Sequence, residues 1–244
     1  MKLAPKRKKS DVNRLHRLLA LSMAATLCMA AGKPAPLAKP EHRNWNAAIA
    51  VTPMGSHLLG NPAAAVRLVE YISYTCPHCA AFETQADGPM RLAYVSTGKL
   101  LIEVRHYVRD PVDLTVAMLT NCGPPAKFFL NHAAFLRGQS VWIAPMTDST
   151  AAQRARWSSG DMLSRRRAMA SDFHMYQIMQ SRGYSRVEVD HCLADEAMAQ
   201  RLAQQNVEAD RLGVSGTPSF LLNGALLHGT HDWSLLQPQL NARF

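Results

Sequence analysis

The chain has 244 residues, of which 48% are hydrophobic, and a formal net charge of +9. This composition allows a folded domain with an ordinary packed core. Residues 1–32 contain seven lysines and arginines and one aspartate, so they hold +6 of the charge and the remainder only +3. The remainder has no basic stripe interleaved with aromatic side chains, which argues against nucleic acid as a partner.

The N-terminal residues 1–32 have the layout of a secretory signal peptide. A basic segment precedes residues 18–31, which are 14 apolar and small residues, fewer than the ~20 needed to span a bilayer. Small residues at Ala30 and Gly32 supply a cleavage site. We expect export to the periplasm and removal of Cys28 with the signal peptide; an uncleaved anchor helix or a basic tail is the alternative.

The next part of the chain predicts a linker followed by a strand–helix–strand unit. Residues 33–49 begin with a run rich in proline, alanine and lysine, which is typical of a flexible linker. A short strand at 56–59 is followed by a strand at 66–74, rich in β-branched and aromatic side chains. A helix then runs to about residue 95, with a kink at Gly88-Pro89. A strand at 100–108 completes a unit that favours parallel pairing.

The middle of the chain predicts helices. Glycines and prolines separate apolar-periodic segments throughout residues 111–212. The basic run Arg165-Arg166-Arg167 is interpreted as a solvated helix face. The predicted helices cover 111–122, 126–138, 151–158, 161–182, 187–194 and 195–212.

Strand signals return near the C-terminus. Residues 218–222 and 225–228 predict a hairpin around Asn223-Gly224, a dipeptide that favours tight turns. Residues 232–243 predict a closing helix that contains Pro238. The predicted order is two strands, a helix, a strand, a helical block, two strands and a helix.

The segment Cys76-Pro77-His78-Cys79 lies where the second strand turns into a helix, and three interpretations are open. A zinc site needs four ligands, and the other cysteines are single and far apart. A structural disulfide across two intervening residues closes a small, strained loop, which disfavours a purely structural role. A redox-active dithiol fits best, because a helix N-terminus stabilises a thiolate.

The positions of the two cysteines predict their roles. Cys76 precedes the helix and is expected to face solvent as the nucleophile, whereas Cys79 lies one turn further, partly buried, as the resolving thiol. Pro77 suits the first helical position. His78 can add positive charge or a hydrogen bond to the Cys76 thiolate, although an exposed helix residue is the alternative.

A second informative stretch is Gly216-Thr217-Pro218 before the C-terminal hairpin. A proline here is either a plain turn residue or a cis-proline beside the CxxC, as in thioredoxin-like folds. In the second case the backbone of Thr217 could pair with an extended substrate strand, so Thr217 and Pro218 are candidate substrate-binding residues.

The segment 70–83, the Thr-Pro pair and the helical block together resemble the DsbA-like thiol:disulfide oxidoreductases. The resemblance implies an α/β, thioredoxin-like fold with an inserted all-helical domain, and neither a cofactor nor a metal. It also implies that the carboxylates of Glu70 and Glu83 modulate proton transfer and redox poise. Thr75 departs from the family, whose members often have an aromatic residue there, and Thr217 departs from the Val of some strong oxidases.

The resulting domain organisation divides the chain into four parts. Residues 1–32 are the signal peptide and 33–49 the linker. Residues 50–110 and 213–244 form the thioredoxin-like domain, and 111–212 form the helical insertion domain.

Two further cysteines, Cys122 and Cys192, fall at the two ends of the helical insertion. We expect a structural disulfide between them, since similar extra disulfides occur in some branches of the family. Two separate buried thiols are the alternative.

The sequence thus predicts an exported, monomeric oxidoreductase that introduces disulfides into reduced exported polypeptides through the Cys76–Cys79 pair. By resemblance, a membrane quinone-linked reoxidase of the DsbB type would reoxidise it. A disulfide reductase or isomerase of the same fold, and a chaperone-like protein that binds unfolded clients, are the alternatives.

Overall fold

The structure, a computed structural model, describes residues 43–244. The predicted signal peptide and most of the predicted linker lie outside these described residues. The end of the linker segment differs from the prediction, because Trp45–Ala47 form a 3-10 helix and Trp45 and Ile49 pack against the core. The folded domain therefore extends N-terminal of residue 50, where the sequence placed its start.

A single mixed sheet forms the centre of the described chain. Its strands are β1 (Ile49–Val51), β2 (His57–Gly60), β3 (Val66–Ile72), β4 (Leu100–His106), β5 (Ser219–Leu222) and β6 (Ala225–Leu226). Their order is β1-β2-β4-β3-β5-β6. Strands β3 and β4 are parallel and every other neighbouring pair is antiparallel. The parallel pairing predicted for the strand–helix–strand unit is confirmed.

Helices cover the sheet and fill the segment between β4 and β5. Nine of them, α2 to α10, make up the helical insertion. The helices of the described residues are α1 (Pro77–Met90), α2 (Pro111–Thr120), α3 (Phe128–Arg137), α4 (Gln139–Trp142), α5 (Pro145–Asp148), α6 (Ala151–Ser158), α7 (Met162–Asp172), α8 (Met175–Ser181), α9 (Arg186–Leu193), α10 (Glu196–Arg211) and α11 (Trp233–Asn241). Across residues 43–244, none of these helices is both long enough and apolar enough to cross a membrane.

Helix α1 carries the redox pair at its start and packs one stripe into the core. Cys79, Phe82, Ala86 and Met90 are all buried, a spacing of three or four residues that places them on one face. At the predicted kink beyond Gly88-Pro89 the α-helix gives way to a π-helix at Arg91–Val95. A proline removes one backbone donor, so the helix widens here instead of continuing.

One helix of the insertion was predicted too long. The sequence predicted a single helix over 161–182, but α7 ends at Asp172, and His174, with φ of +56°, precedes α8. Phe173 and Met175 on either side of this turn are fully buried. The turn therefore places both apolar side chains in the core, which overrides the helical propensity of the segment.

The predicted solvated face at Arg165-Arg166-Arg167 is wrong for its middle residue. Arg166 is only 2% exposed, and its Nη1 donates to the Leu193 carbonyl oxygen at 3.0 Å and to Glu196 Oε1 at 2.6 Å. It thus joins the end of α9 to the start of α10. A buried guanidinium with such partners fixes a helix junction instead of a surface.

The C-terminal hairpin was predicted correctly. Strands β5 and β6 pair around Asn223 and Gly224, which both have positive φ, at 51° and 84°. This geometry is that of a tight hairpin turn and explains the Asn-Gly pair. The Asn223 side chain also accepts a hydrogen bond from the Arg67 backbone N–H at 2.8 Å, which ties the turn to β3.

Candidate active site

The CxxC segment lies at the transition from β3 to α1, in the centre of the sheet. Cys76 is the N-cap residue of α1, with extended backbone (φ −91°, ψ 117°), and Pro77 is the first helical residue. The Cys76 carbonyl oxygen accepts from the N–H groups of Cys79 and Ala80 at 3.2 and 3.3 Å. The local chain thus presents the Cys76 side chain at the positive end of the helix.

The sequence predicted that Cys76 faces solvent, and this prediction is wrong, because only 3% of its surface is exposed. Its Sγ donates to the carbonyl oxygen of Thr217 at 3.1 Å, so the segment before β5 lies against the sulfur. Cys79 is 1% exposed, whereas Pro77 and His78 are exposed. Both thiols are free, so the structure is that of the reduced dithiol.

The surroundings of the two sulfurs separate their acidities. A hydrogen bond from the Cys79 thiol lowers the pKa of Cys76 to about 4. Burial opposes this shift, and backbone hydrogen bonds from Cys79 and His78 reinforce it. Burial, followed by the neighbouring Cys76 sulfur, raises the pKa of Cys79 well above its ordinary value. One thiol is therefore ionised at neutral pH while the other keeps its proton.

His78 contributes to the site through its backbone. The His78 N–H is among the groups that lower the pKa of Cys76, while its side chain is exposed. This backbone contribution belongs to the stabilisation that the sequence ascribed to the helix N-terminus, and a contribution of the His78 imidazole stays a prediction.

The Thr217–Pro218 peptide bond is cis and lies immediately before β5, beside Cys76. The Pro218 carbonyl oxygen is 3.0 Å from His231 Nδ1, which can donate to it. The structure thus places the predicted pair beside Cys76, and adds His231, just before the C-terminal helix, as a neighbour that the sequence did not indicate.

Glu70 is buried in β3, with 5% of its surface exposed. Burial raises its pKa to about 8, and the nearby carboxylates of Glu83 and Asp87 act in the same direction. The Oε1 atom of Glu70 has no hydrogen-bond partner among the described residues. These surroundings favour the neutral, protonated carboxylic acid at neutral pH.

Glu83, on α1, shares a small pocket with Glu70 and takes part in a network of charged groups. Its Oε1 accepts from Arg137 Nη2 at 2.9 Å, and its Oε2 lies 3.6 Å from His132 Nε2. His132 Nδ1 is in turn 2.9 Å from the Tyr74 hydroxyl. Sequence reasoning missed His132, Arg137 and Tyr74, because no local motif connects them with the CxxC.

Gln139 is a further contact that the sequence did not indicate. This buried residue of α4 donates from Nε2 to the carbonyl oxygens of Tyr74 at 2.6 Å and Cys76 at 2.9 Å. The helical insertion therefore contacts the backbone of the redox segment directly. A lone glutamine after Gly138 carries no sequence signal for this contact.

Cys122 and Cys192 form a disulfide in this structure, with an S–S distance of 1.99 Å and a sequence separation of 70 residues. Cys122 follows α2 and Cys192 lies in α9, so the bridge joins two helices of the insertion. Among residues 43–244, no group of three or more His, Cys, Asp and Glu side chains is arranged to hold a metal ion.

Comparisons with known proteins agree with this geometry. The family described as Thioredoxin matches residues 52–242. The crystal structure of a protein-disulfide isomerase from Novosphingobium aromaticivorans is 54% identical, covers 78% of this chain and 97% of its own, and superposes with a TM-score of 0.75. Alpha-DsbA1 of Wolbachia pipientis, at 20% identity and a TM-score of 0.62, covers 79% of this chain and 92% of its own, and shares the fold.

Curated relatives are similar to this chain over part of their own length. A Rickettsia bellii protein named as a protein-disulfide oxidoreductase is 28% identical over 169 residues, which are 68% of this chain and 56% of the relative. A Rickettsia typhi protein of the same name is 30% identical over 54% of its length. The chain spans about half the length of these relatives. On the family match over residues 52–242, this chain belongs to the thioredoxin family, and it shares the fold of alpha-DsbA1.

Proposed function

We propose that this chain is an exported thiol oxidase that introduces disulfides into reduced secreted or periplasmic polypeptides. The observation that carries the proposal is the opposite shift of the two thiol pKa values, with Cys76 lowered to about 4 and Cys79 raised. A stabilised Cys76 thiolate makes the reduced form favourable and the Cys76–Cys79 disulfide a good oxidant.

The reaction transfers one disulfide. A client thiolate attacks Cys76 Sγ of the Cys76–Cys79 disulfide; the S–S bond breaks, and Cys79 leaves as a thiolate that takes up a proton because its pKa is raised. A second client thiolate then attacks the client sulfur of the mixed disulfide, and Cys76 leaves as the thiolate. The client gains one disulfide, and the pair becomes a dithiol.

The remaining site residues have supporting roles in this proposal. Pro77 begins α1 and fixes its N-terminus at Cys76, and His78 supplies its backbone N–H and an exposed imidazole near the thiolate. The carbonyl of Thr217, 3.1 Å from Cys76 Sγ, is positioned to meet the backbone of a client bonded to that sulfur, with Pro218 beside it.

Glu70 and Glu83 are proposed to exchange protons with the redox pair. Glu70 is held protonated at neutral pH, and Glu83, which shares a pocket with it, forms an ion pair with Arg137 of α3. An open cleft of about 350 Å³ reaches the CxxC segment at Pro77 and is lined further by Ala81 and Leu136. In this proposal it takes an extended client segment.

Export and reoxidation complete the proposal. The signal-peptide pattern of residues 1–32 supports export to the periplasm, and the Cys122–Cys192 disulfide suits an oxidising compartment. A membrane quinone-linked protein of the DsbB type would accept the two electrons from the dithiol. The enzyme is proposed to act as a monomer, without cofactor or nucleic acid.

The test is a titration of the Cys76–Cys79 pair against reduced and oxidised glutathione, together with an assay of thiol loss from a reduced client. We expect an oxidising equilibrium and rapid oxidation of the client by the disulfide form. The Cys76→Ser variant should lose this activity. A strongly reducing equilibrium combined with an ordinary Cys76 pKa would contradict the oxidase assignment.

A disulfide isomerase is the second candidate, because the 54% identical structure from Novosphingobium aromaticivorans is named as a protein-disulfide isomerase. A scrambled client whose disulfides are already formed distinguishes the two activities. An isomerase in its dithiol form restores the native pairing, whereas an oxidase acts only on reduced clients.

A further inference from the structure

The three residues that precede the redox pair, Ser73 to Thr75, are held by a buried carboxylate of the helical insertion. Asp113 of α2 is 1% exposed. Its Oδ1 accepts from the Tyr74 N–H at 2.7 Å, and its Oδ2 accepts from the Ser73 hydroxyl at 2.6 Å and the Arg109 N–H at 3.0 Å. Two of these three donors belong to the segment before Cys76.

A second carboxylate extends the same network. Asp110, the N-cap residue of α2, accepts from the Thr75 hydroxyl at 2.6 Å through Oδ2 and from the Asp113 N–H at 2.9 Å through Oδ1. The Ser73 hydroxyl accepts from the Thr75 N–H at 3.3 Å. Every residue from Ser73 to Thr75 is therefore joined to α2 through a side chain or a backbone group.

The contacts of Asp113 are not those of an ordinary acidic residue in the first turn of a helix. At the third position of a helix an acidic side chain commonly reaches back to the N–H of the N-cap residue. Here Asp110 caps α2 itself, while Asp113 bonds to Arg109, Ser73 and Tyr74 instead. Its geometry serves the adjoining segment of the redox site.

This segment leads directly to the nucleophile. The Cys76 N–H donates to the Ser73 carbonyl oxygen at 3.3 Å, so the four residues form one turn with Asp113 at its base. The same turn places Cys76 Sγ at the N-terminus of α1 and beside the Thr217 carbonyl. A displaced turn would move the sulfur away from the groups that stabilise its thiolate.

We propose that Asp113 is a positioning residue of the redox site, which fixes the Ser73–Thr75 turn and thereby holds Cys76 at the N-terminus of α1. The proposal rests on the proposed role of Cys76 as the nucleophile. Burial raises the pKa of Asp113 to about 7 against the hydrogen bonds from Ser73, Arg109 and Tyr74, and Asp110 adds to the rise. The positioning contacts therefore need a carboxylate that is costly to bury, which is consistent with a functional role.

Asp113→Asn tests the positioning contacts apart from any loss of charge. The pKa of Asp113 is raised to about 7 and that of Cys76 is lowered to about 4, so the Asp113 carboxyl is neutral over the pH range in which Cys76 titrates. The substitution removes no charge there, but its amide places an N–H₂ group against hydrogen-bond donors, so the turn loosens and the Cys76 pKa rises. Ser73→Ala removes one contact and leaves Asp113 in place.

The experiment measures the Cys76 pKa from the ultraviolet absorbance of the thiolate, and the equilibrium with glutathione, for the wild type, D113N, S73A and the double variant. We expect the pKa to rise by about one unit in D113N and by roughly half as much in S73A. The glutathione equilibrium should shift about tenfold toward a weaker oxidant in D113N. The double variant should change little beyond D113N, because both act on one contact.

Asp172→Asn is the matched control. Asp172 is a largely buried carboxylate of the same insertion, but it bonds to Arg156 and to Trp157 Nε1 instead of the redox segment. The D172N variant should be less stable than the wild type, with an unchanged Cys76 pKa. An unchanged or lowered Cys76 pKa in D113N overturns the proposal.

If D113N does not fold, S73A decides the question alone: a risen pKa supports the positioning role, and an unchanged pKa overturns it. Failure of the proposed function looks different, because wild-type Cys76 would then show an ordinary pKa and a reducing equilibrium. The positioning role depends only on the differences between variants.

Discussion

The Sγ atom of Cys76 lies 3.1 Å from the carbonyl oxygen of Thr217, which follows it by 141 residues in the chain. A thiol can donate to this oxygen, whereas a thiolate and a carbonyl oxygen repel each other. In the Cys76–Cys79 disulfide the sulfur carries no hydrogen either, so the Thr217 carbonyl loses this donor. In the proposed reaction it is then open to a backbone N–H of the client that attacks Cys76.

Alkylation of Cys76 should depend on pH in a way that follows its lowered pKa of about 4. Because the thiolate is the reactive form, we expect the rate with iodoacetamide to be nearly constant from about pH 6 to 8 and to fall below about pH 4. Mass spectrometry of the labelled peptide measures it. In Cys76→Ser, the remaining Cys79 should react slowly at neutral pH; a rate that rises steadily up to pH 9 in the wild type would contradict the assignment.

Removal of the Gln139 amide should destabilise the fold, because the Tyr74 carbonyl oxygen loses its side-chain donor. Gln139→Leu keeps a side chain of similar size, so we expect a loss of about 1–3 kcal/mol in the free energy of unfolding by urea. Gln180→Leu, at an exposed position of α8, is the control and should change the stability little. Equal effects of both substitutions would show that the Gln139 contacts add no stability.

Glu70→Gln should make the protein more stable at alkaline pH. The pKa of Glu70 is raised from 4.5 to about 8 by burial, so between these values the folded state binds more protons than the unfolded state. The wild type therefore loses stability as the pH rises from about 4.5 to about 8, and the glutamine variant lacks this loss.

Denaturant unfolding of wild type and Glu70→Gln at pH 5 and pH 8 measures the effect. The difference between the two proteins should be small at pH 5 and reach on the order of 3 kcal/mol at pH 8. Other groups titrate equally in both proteins, so they cancel in the comparison. A constant difference at both pH values would show that Glu70 ionises normally.

The Cys122–Cys192 disulfide should stabilise the insertion independently of the redox pair. Replacement of both residues by alanine opens a loop of 70 residues, and we expect a loss of about 2–4 kcal/mol in stability. The activity of the folded double variant toward a reduced client should persist. Loss of activity without loss of stability would indicate a part for this disulfide in the redox reaction.

The parts of the site that could be predicted from the sequence are those formed by residues close together in the chain. Cys76 and Cys79 are joined by a two-residue spacing, and Thr217 and Pro218 are adjacent, so motifs identified them. The hairpin followed from Asn223-Gly224 for the same reason.

The unpredicted parts depend on contacts between distant residues. Asp113 reaches Ser73 across 40 positions and Gln139 reaches Tyr74 across 65, and neither pair has a motif. Burial of Cys76 was missed for this reason also, since its cover comes from Thr217. A turn at His174 was missed because it is set by the core around Phe173 and not by local propensity.

The contacts of Asp113 and Gln139 with the redox segment have a consequence for attempts to graft this centre. Both residues belong to the helical insertion, although the cysteines belong to the thioredoxin-like core. A chimera that kept residues 43–110 and 213–244 but received its helices from another protein would retain the whole CxxC motif. It would also lose a carboxylate and an amide that hold the motif's backbone, so the helices would have to be transplanted together with the cysteines.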